Sequence, residues 1–205
     1  MKRKAILYIH GKGGSAAEAE HYRALFPDWD VGGLDYHGDT PWETEEEIRM
    51  AVLRLADAYP TSVVIANSIG AYFLMNACGE HCPVTRALFI SPIVDMERLI
   101  LDMMDWANVG EDELRARGVI ETGFGEALSW EYLAYVREHP VTWRVPTDIL
   151  YAGGDDLTAR ETVTAFAQRV GASLTVMENG EHWFHTEEQM AFLDRWAREQ
   201  EKRRS

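Results

Sequence analysis

The run Val63-Val64-Ile65-Ala66-Asn67-Ser68-Ile69-Gly70-Ala71 constrains this chain more than any other segment. Its β-branched apolar half reads as a strand buried on both faces, the environment of a parallel sheet. It ends at one serine with small residues two positions to either side, Ala66 and Gly70, and a helix-like segment, Ala71-Tyr72-Phe73-Leu74-Met75, follows. A strand that turns into a helix at a single residue needs small neighbours, because larger side chains would collide across the turn. Such a turn lifts the Ser68 hydroxyl off the sheet and sets a helix N-terminus beside it. Ser68 is therefore a candidate nucleophile, although a serine in this position can also serve as a plain helix cap.

A serine hydroxyl needs a base within hydrogen-bond reach, and the base needs an orienting acid. Two further strand-like runs supply candidates at their C-terminal ends. Residues 148–152 lead into Gly153-Gly154-Asp155-Asp156, and Leu174-Thr175-Val176-Met177 leads through Glu178-Asn179-Gly180-Glu181 to His182. The C-terminal edge of a parallel sheet is where ligands bind. Asp156 competes with Asp155 and His185 with His182; the positions nearer the strand ends favour Asp155 and His182. At the N-terminus the strand Ala5–Ile9 runs into His10-Gly11-Lys12-Gly13-Gly14-Ser15. A glycine-rich loop there can aim a main-chain N–H at a developing oxyanion, with the N–H groups of Lys12 and Ile69 as the donor pair. The loop lacks the spacing of a phosphate-binding loop, and the chain has no dinucleotide fingerprint.

These segments resemble those of a small α/β-hydrolase. The resemblance rests on 10–15, on Ala66-Asn67-Ser68-Ile69-Gly70, on Tyr151-Ala152-Gly153-Gly154-Asp155-Asp156-Leu157-Thr158 and on Gly180-Glu181-His182-Trp183-Phe184-His185. It implies Ser68 as nucleophile, His182 as base, Asp155 as orienting acid, in the chain order Ser, Asp, His, with Lys12 and Ile69 as oxyanion donors. It further implies a serine esterase that cleaves a carboxylic ester, thioester or amide of a small to medium apolar acid through an acyl-enzyme. No metal and no organic cofactor is expected. A non-catalytic binding protein on the same fold and an acyltransferase with the same residues are the alternatives. Two departures stand out: Ala66 replaces the usual glycine, and the two antiparallel strands that usually come first are not expected here.

Along the chain, strand-like and helix-like segments alternate. Strands are expected at 4–10, 29–34, 62–67, 86–91, 147–152 and 173–178, and helices at 16–26, 44–59, 70–79, 160–170 and 186–201. Ile48, Ala51, Val52 and Leu55 repeat at helical spacing, and Thr44 with Glu47 resembles a capping box. Parallel neighbours need crossover connections, so the pattern predicts an α/β fold: a mostly parallel six-stranded sheet with helices on both faces. The expectation is one domain over 1–205 with a helical insertion at 95–143. The charged tail Glu199–Ser205 is expected to fray.

The insertion is rich in Met, Trp, Leu and acidic residues, and two or three short helices broken at Gly118, Gly123 and Gly125 are expected. It suits a cap that excludes water and forms a substrate pocket, with Trp106 and Trp130 as lining, joined by Trp183 after the candidate base. A helical excursion on the sheet edge, or a dimer surface, are the other readings. Formal net charge is −14, which disfavours nucleic acid and anionic membranes as partners. The expected partner is a small-molecule acyl substrate, and the chain is expected to act as a monomer or homodimer. The apolar runs are of strand length, and the basic start Met1-Lys2-Arg3-Lys4 precedes too short a stretch for a signal peptide, so a cytoplasmic location is expected. Cys78 and Cys82 read as two reduced thiols packed near a helix end.

Overall fold

The computed structural model describes residues 3–202. Met1, Lys2 and the tail beyond Lys202 lie outside the described residues. Six parallel strands form one sheet in the order β2-β1-β3-β4-β7-β8: β1 is Lys4–Ile9, β2 Asp30–Leu34, β3 Thr61–Asn67, β4 Arg86–Ile90, β7 Thr147–Ala152 and β8 Ser173–Met177. The central strands β3, β4 and β7 are buried almost throughout, whereas the edge strand β8 is only partly so. Strands covered on both faces need apolar residues at every position, which is why β3 and β4 read as continuous runs rather than as alternations.

Each crossover is helical. Helix α1 (Ala19–Leu25) follows a short 3₁₀ turn at Ala16–Glu18, α2 is Pro41–Ala58, α3 Ile69–Cys78, α7 Arg160–Val170 and α8 Glu187–Lys202. Ile6 and Tyr8 of β1, Val63 and Ile65 of β3 and Leu88 and Ile90 of β4 share one cluster with Tyr22 and Leu25 of α1 and Leu193 and Trp196 of α8. Helices α2 and α3 pack together and against β1 and β3. The start of α3 adjoins Ile9, whose side chain points opposite to Tyr8.

Helix α2 begins three residues before the expected Thr44. Proline at position 41 pre-sets the first helical φ, and Thr40 is extended and stands before it with Glu43 as the box partner. The Glu43 carboxylate accepts the backbone N–H of Thr40 at 3.1 Å. Thr44 is instead a core residue whose hydroxyl donates back to the Thr40 carbonyl. Glu199–Lys202 are helical rather than frayed: Gln200 is 1 % exposed and takes hydrogen bonds from Arg86.

The chain divides into two compact units, Asp95–Val141 and the remainder. The smaller unit holds α4 (Met96–Ala107), α5 (Glu111–Arg117) and α6 (Trp130–Glu138). Between α5 and α6 it has an antiparallel hairpin, β5 (Val119–Glu121) with β6 (Ala127–Ser129), that the sequence reading did not contain. Gly118 ends α5 and Gly125 turns the hairpin, both at positive φ. Trp143 packs on Phe89 of β4 at 5.6 Å, so the return to the sheet begins ahead of β7. No helix among the described residues is long and apolar enough to cross a membrane.

Candidate active site

Strand β3 ends at Asn67, and Ser68 adopts φ 52° and ψ −123° before α3 begins at Ile69. An L-residue holds such a conformation only where its surroundings over-determine it. They do here: the Ser68 N–H donates to Ile90 O at 3.0 Å, and the Ser68 carbonyl accepts from Ala71 N and Ile93 N, each at 3.1 Å. The small neighbours have identifiable obstacles. A Cβ at Gly70 would lie 2.3 Å from the His10 carbonyl oxygen, and one at Gly11 would lie 3.1 Å from Ser68 Cβ. Ala66 is fully buried, and its methyl fits where the resemblance leads one to expect glycine.

The candidate base and acid meet Ser68 at the same sheet edge. His182 Nε2 lies 2.8 Å from Ser68 Oγ, and His182 Nδ1 lies 2.7 Å from Asp155 Oδ2. Asp155 Oδ1 accepts the backbone N–H groups of Leu157 at 2.8 Å and Thr158 at 3.1 Å, and the Asp155 side chain is 0 % exposed. With the Nδ1 proton directed at Asp155, Nε2 offers its lone pair to the serine hydroxyl. The competing residues lie elsewhere: Asp156 is exposed, and His185 pairs through Nδ1 with the Trp183 carbonyl at 2.7 Å.

Backbone bonds fasten the loop of the acid to the loop of the base. Gly153 N–H donates to Met177 O and Gly154 N–H to Gly180 O, both at 2.8 Å. A Cβ at Gly153 would stand 2.5 Å from Glu178 O, so only glycine permits this approach. The Tyr151 hydroxyl donates to Thr158 O at 2.8 Å beneath Asp155. Burial, then the Asp155 charge, push the Tyr151 phenol up to about 12, which keeps it a neutral donor.

No protein-family model and no curated protein matches this sequence. Among solved structures, Est1E from Butyrivibrio proteoclasticus superposes with a TM-score of 0.72 at 16% identity, covering 97% of this chain and 86% of its own. An esterase of Pyrococcus furiosus superposes with a TM-score of 0.62 at 19% identity, over 98% and 82% of the two chains. A lipase-esterase related protein from Clostridium acetobutylicum gives 0.65 at 14% identity, over 98% and 94%. The chain has the α/β-hydrolase fold.

Within that fold the loop after β1 sits against the serine turn. Gly14 N–H closes the loop on Gly11 O at 3.1 Å, and Gly13 supplies a positive φ. The His10 ring stacks on Tyr36 at 4.2 Å, and the Tyr36 hydroxyl donates to the His10 carbonyl at 3.0 Å. Tyr36 follows β2 and so supports the loop, and its neighbour Asp35 accepts the Ala16 N–H. Lys12 occupies the exposed tip, and Ile69 opens α3 directly after Ser68.

The larger unit also holds a cleft of about 210 Å³. Its lining includes Tyr8, Glu18, His21, Asn67, Trp183 and Phe184. Asn67 precedes Ser68 and Trp183 follows His182 in the chain. The sequence reading placed Trp183 at a pocket but passed over Tyr8, Glu18 and Asn67. The one available signal was a tyrosine late in an otherwise aliphatic strand. The Tyr8 hydroxyl donates to Glu18 at 2.5 Å, and the other Glu18 oxygen accepts Ser15 N–H at 3.0 Å. Burial, then Tyr22 and Glu18, hold the Tyr8 phenol far above its ordinary range, so it remains a donor. Trp106 and Trp130 make their ring contacts inside the smaller unit, with Phe124 and Arg115 respectively. Cys78 and Cys82 are unbridged, the first half-buried and the second buried.

Proposed function

We propose that this protein is a serine hydrolase that cleaves a carboxylic ester, or a related thioester or amide, through an acyl-enzyme. The observation behind this reading is the continuous relay Ser68 Oγ, His182 Nε2, His182 Nδ1, Asp155 Oδ2, with both links under 3 Å. In this reading Ser68 attacks the carbonyl carbon as His182 takes its proton. Asp155 holds the imidazole in the required tautomer and balances the charge it gains. The N–H groups of Lys12 and Ile69 receive the oxyanion, the second from a helix N-terminus that favours negative charge. His182 then protonates the leaving group. A water molecule, deprotonated by His182, releases the acid. The esterases among the structural neighbours support ester chemistry at the level of the fold.

Ser68→Ala is expected to lower kcat for p-nitrophenyl butyrate by about 10⁴-fold or more while the far-UV dichroism stays unchanged. A fluorophosphonate probe should modify Ser68 and no other residue. Retained turnover in the variant, or labelling elsewhere, refutes the assignment.

A further inference from the structure

The cleft beside the serine turn holds a charge that the relay does not use. Glu18 stands at its edge with two carboxylate positions filled, by the Tyr8 hydroxyl and the Ser15 N–H. An ionised carboxylate has about four acceptor positions, so others are left for a ligand. The two bonds already fix its direction, which removes part of the ordering cost of binding. Around it are aromatic faces: Tyr8, Tyr22 and Phe184 are buried, and Trp183 is 71 % exposed. The Trp183 ring stacks on His185 at 4.7 Å, which sets its plane.

Among the described residues no lysine or arginine lines the cleft. Of the described lining residues His21 is the basic one, and its Nε2 already pairs with Asp194 at 2.8 Å. An anionic ligand would therefore face the Glu18 carboxylate, with His21 already engaged by Asp194. A cation would meet a carboxylate and the exposed Trp183 ring, two groups that attract it. The volume admits one ring or a short chain.

We propose that the cleft binds the variable part of the substrate and selects a group carrying an ammonium, with Glu18 as counter-ion and Trp183 as aromatic wall. This refines the hydrolase reading and rests on it for the word substrate. It also replaces the purely apolar acyl group expected from the sequence with an amphipathic one. Two lining residues are chain neighbours of the relay: Asn67 precedes Ser68 and Trp183 follows His182.

The test is calorimetric titration of the full chain with three small probes of one shape: 2-phenylethylammonium, 2-phenylethanol and 3-phenylpropanoate. The ammonium is expected to bind about tenfold more tightly than the alcohol, the combined effect of an exposed ion pair and a cation–π contact. The propanoate should bind more weakly than the alcohol. Glu18→Gln should erase the advantage of the ammonium and leave the alcohol within twofold. Because Glu18 also bonds to Ser15, two checks need no intact Glu18 variant. Tyr8→Phe keeps the carboxylate but frees its direction, so it should reduce the preference without erasing it, and high salt should shrink the preference in the unaltered chain. Equal affinities for ammonium and alcohol, or a preference that survives Glu18→Gln, overturn the proposal. The titrations are repeated in Ser68→Ala, where no turnover occurs. Ammonium preference without any esterase activity in the unaltered chain would sink the hydrolase reading and leave the cleft as assigned. Esterase activity without ammonium preference would do the reverse.

Discussion

Two polar networks close the two ends of the same sheet, and they use similar parts to opposite effect. At the C-terminal edge, Asp155 holds His182 against Ser68. At the N-terminal edge, Asp148, second residue of β7, accepts Arg86 Nε at 2.7 Å and also the Ser173 hydroxyl. The remaining Arg86 nitrogens donate to the carbonyl and side chain of Gln200 in the last turn of α8. Arg86 and Asp148 are both buried. Arginine stays protonated under any working condition, so that network can only hold β4, β7, β8 and α8 together. Exchanging the cation for a histidine introduces a proton that can move near neutral pH. Setting the serine at a strained turn then presents an oxygen to it. The difference between a clamp and the proposed reactive centre lies in the middle residue and in the backbone of the third.

The largest effect that this comparison predicts is on chemistry. Asp155→Asn keeps an acceptor for the Leu157 and Thr158 N–H groups but disfavours the needed tautomer. It should lower kcat for p-nitrophenyl butyrate by about 10⁴-fold with little change in melting temperature. A loss of less than tenfold would mean that the acid at this edge is a clamp as well. Asp148→Ala should do the converse. It strands a buried guanidinium, at a cost of about 3–5 kcal/mol, read as a lower midpoint in urea. The activity of the chain that remains folded should stay within twofold. Equal stability in the variant would deny the N-terminal network its holding role. The smallest effect is expected from Arg137→Ala in the smaller unit. Arg137 also donates three hydrogen bonds, all to carboxylates, to Glu97 at 2.7 Å and to Glu111 at 2.7 and 2.8 Å, yet all three side chains are wet. Solvent-screened pairs of this kind often contribute nothing measurable, so its urea midpoint should not move. A clear shift there would show that bond number, rather than burial, sets the strength of the Arg86 clamp.

Much of the larger unit could be read directly from its residues. Continuous apolar runs gave away the strands of the sheet, and the punctuation after β1, β3, β7 and β8 marked the edge where polar residues gather. Helix starts were harder: Thr44 looked like a cap because Glu47 stood three residues on, yet Pro41 makes Thr40 the better one. In the smaller unit the three-residue strands of the hairpin are too short to show a period. Pairings such as Arg86 with Asp148, or Tyr8 with Glu18, join residues with no local pattern between them.

The sequence by itself determined that this chain alternates strand and helix, that its sheet is parallel, and that Ser68, one of two acids and one of two histidines fall at strand ends. Those are properties of short segments, written in hydrophobic period and turn chemistry. Only the tertiary structure decided that Asp155 rather than Asp156 reaches His182, that His182 rather than His185 reaches Ser68, and that Glu18 and Trp183 border one cleft. Each of those depends on how crossover connections bring distant loops to one edge, and on backbone contacts, such as Gly154 to Gly180, that set a side chain's direction within an ångström.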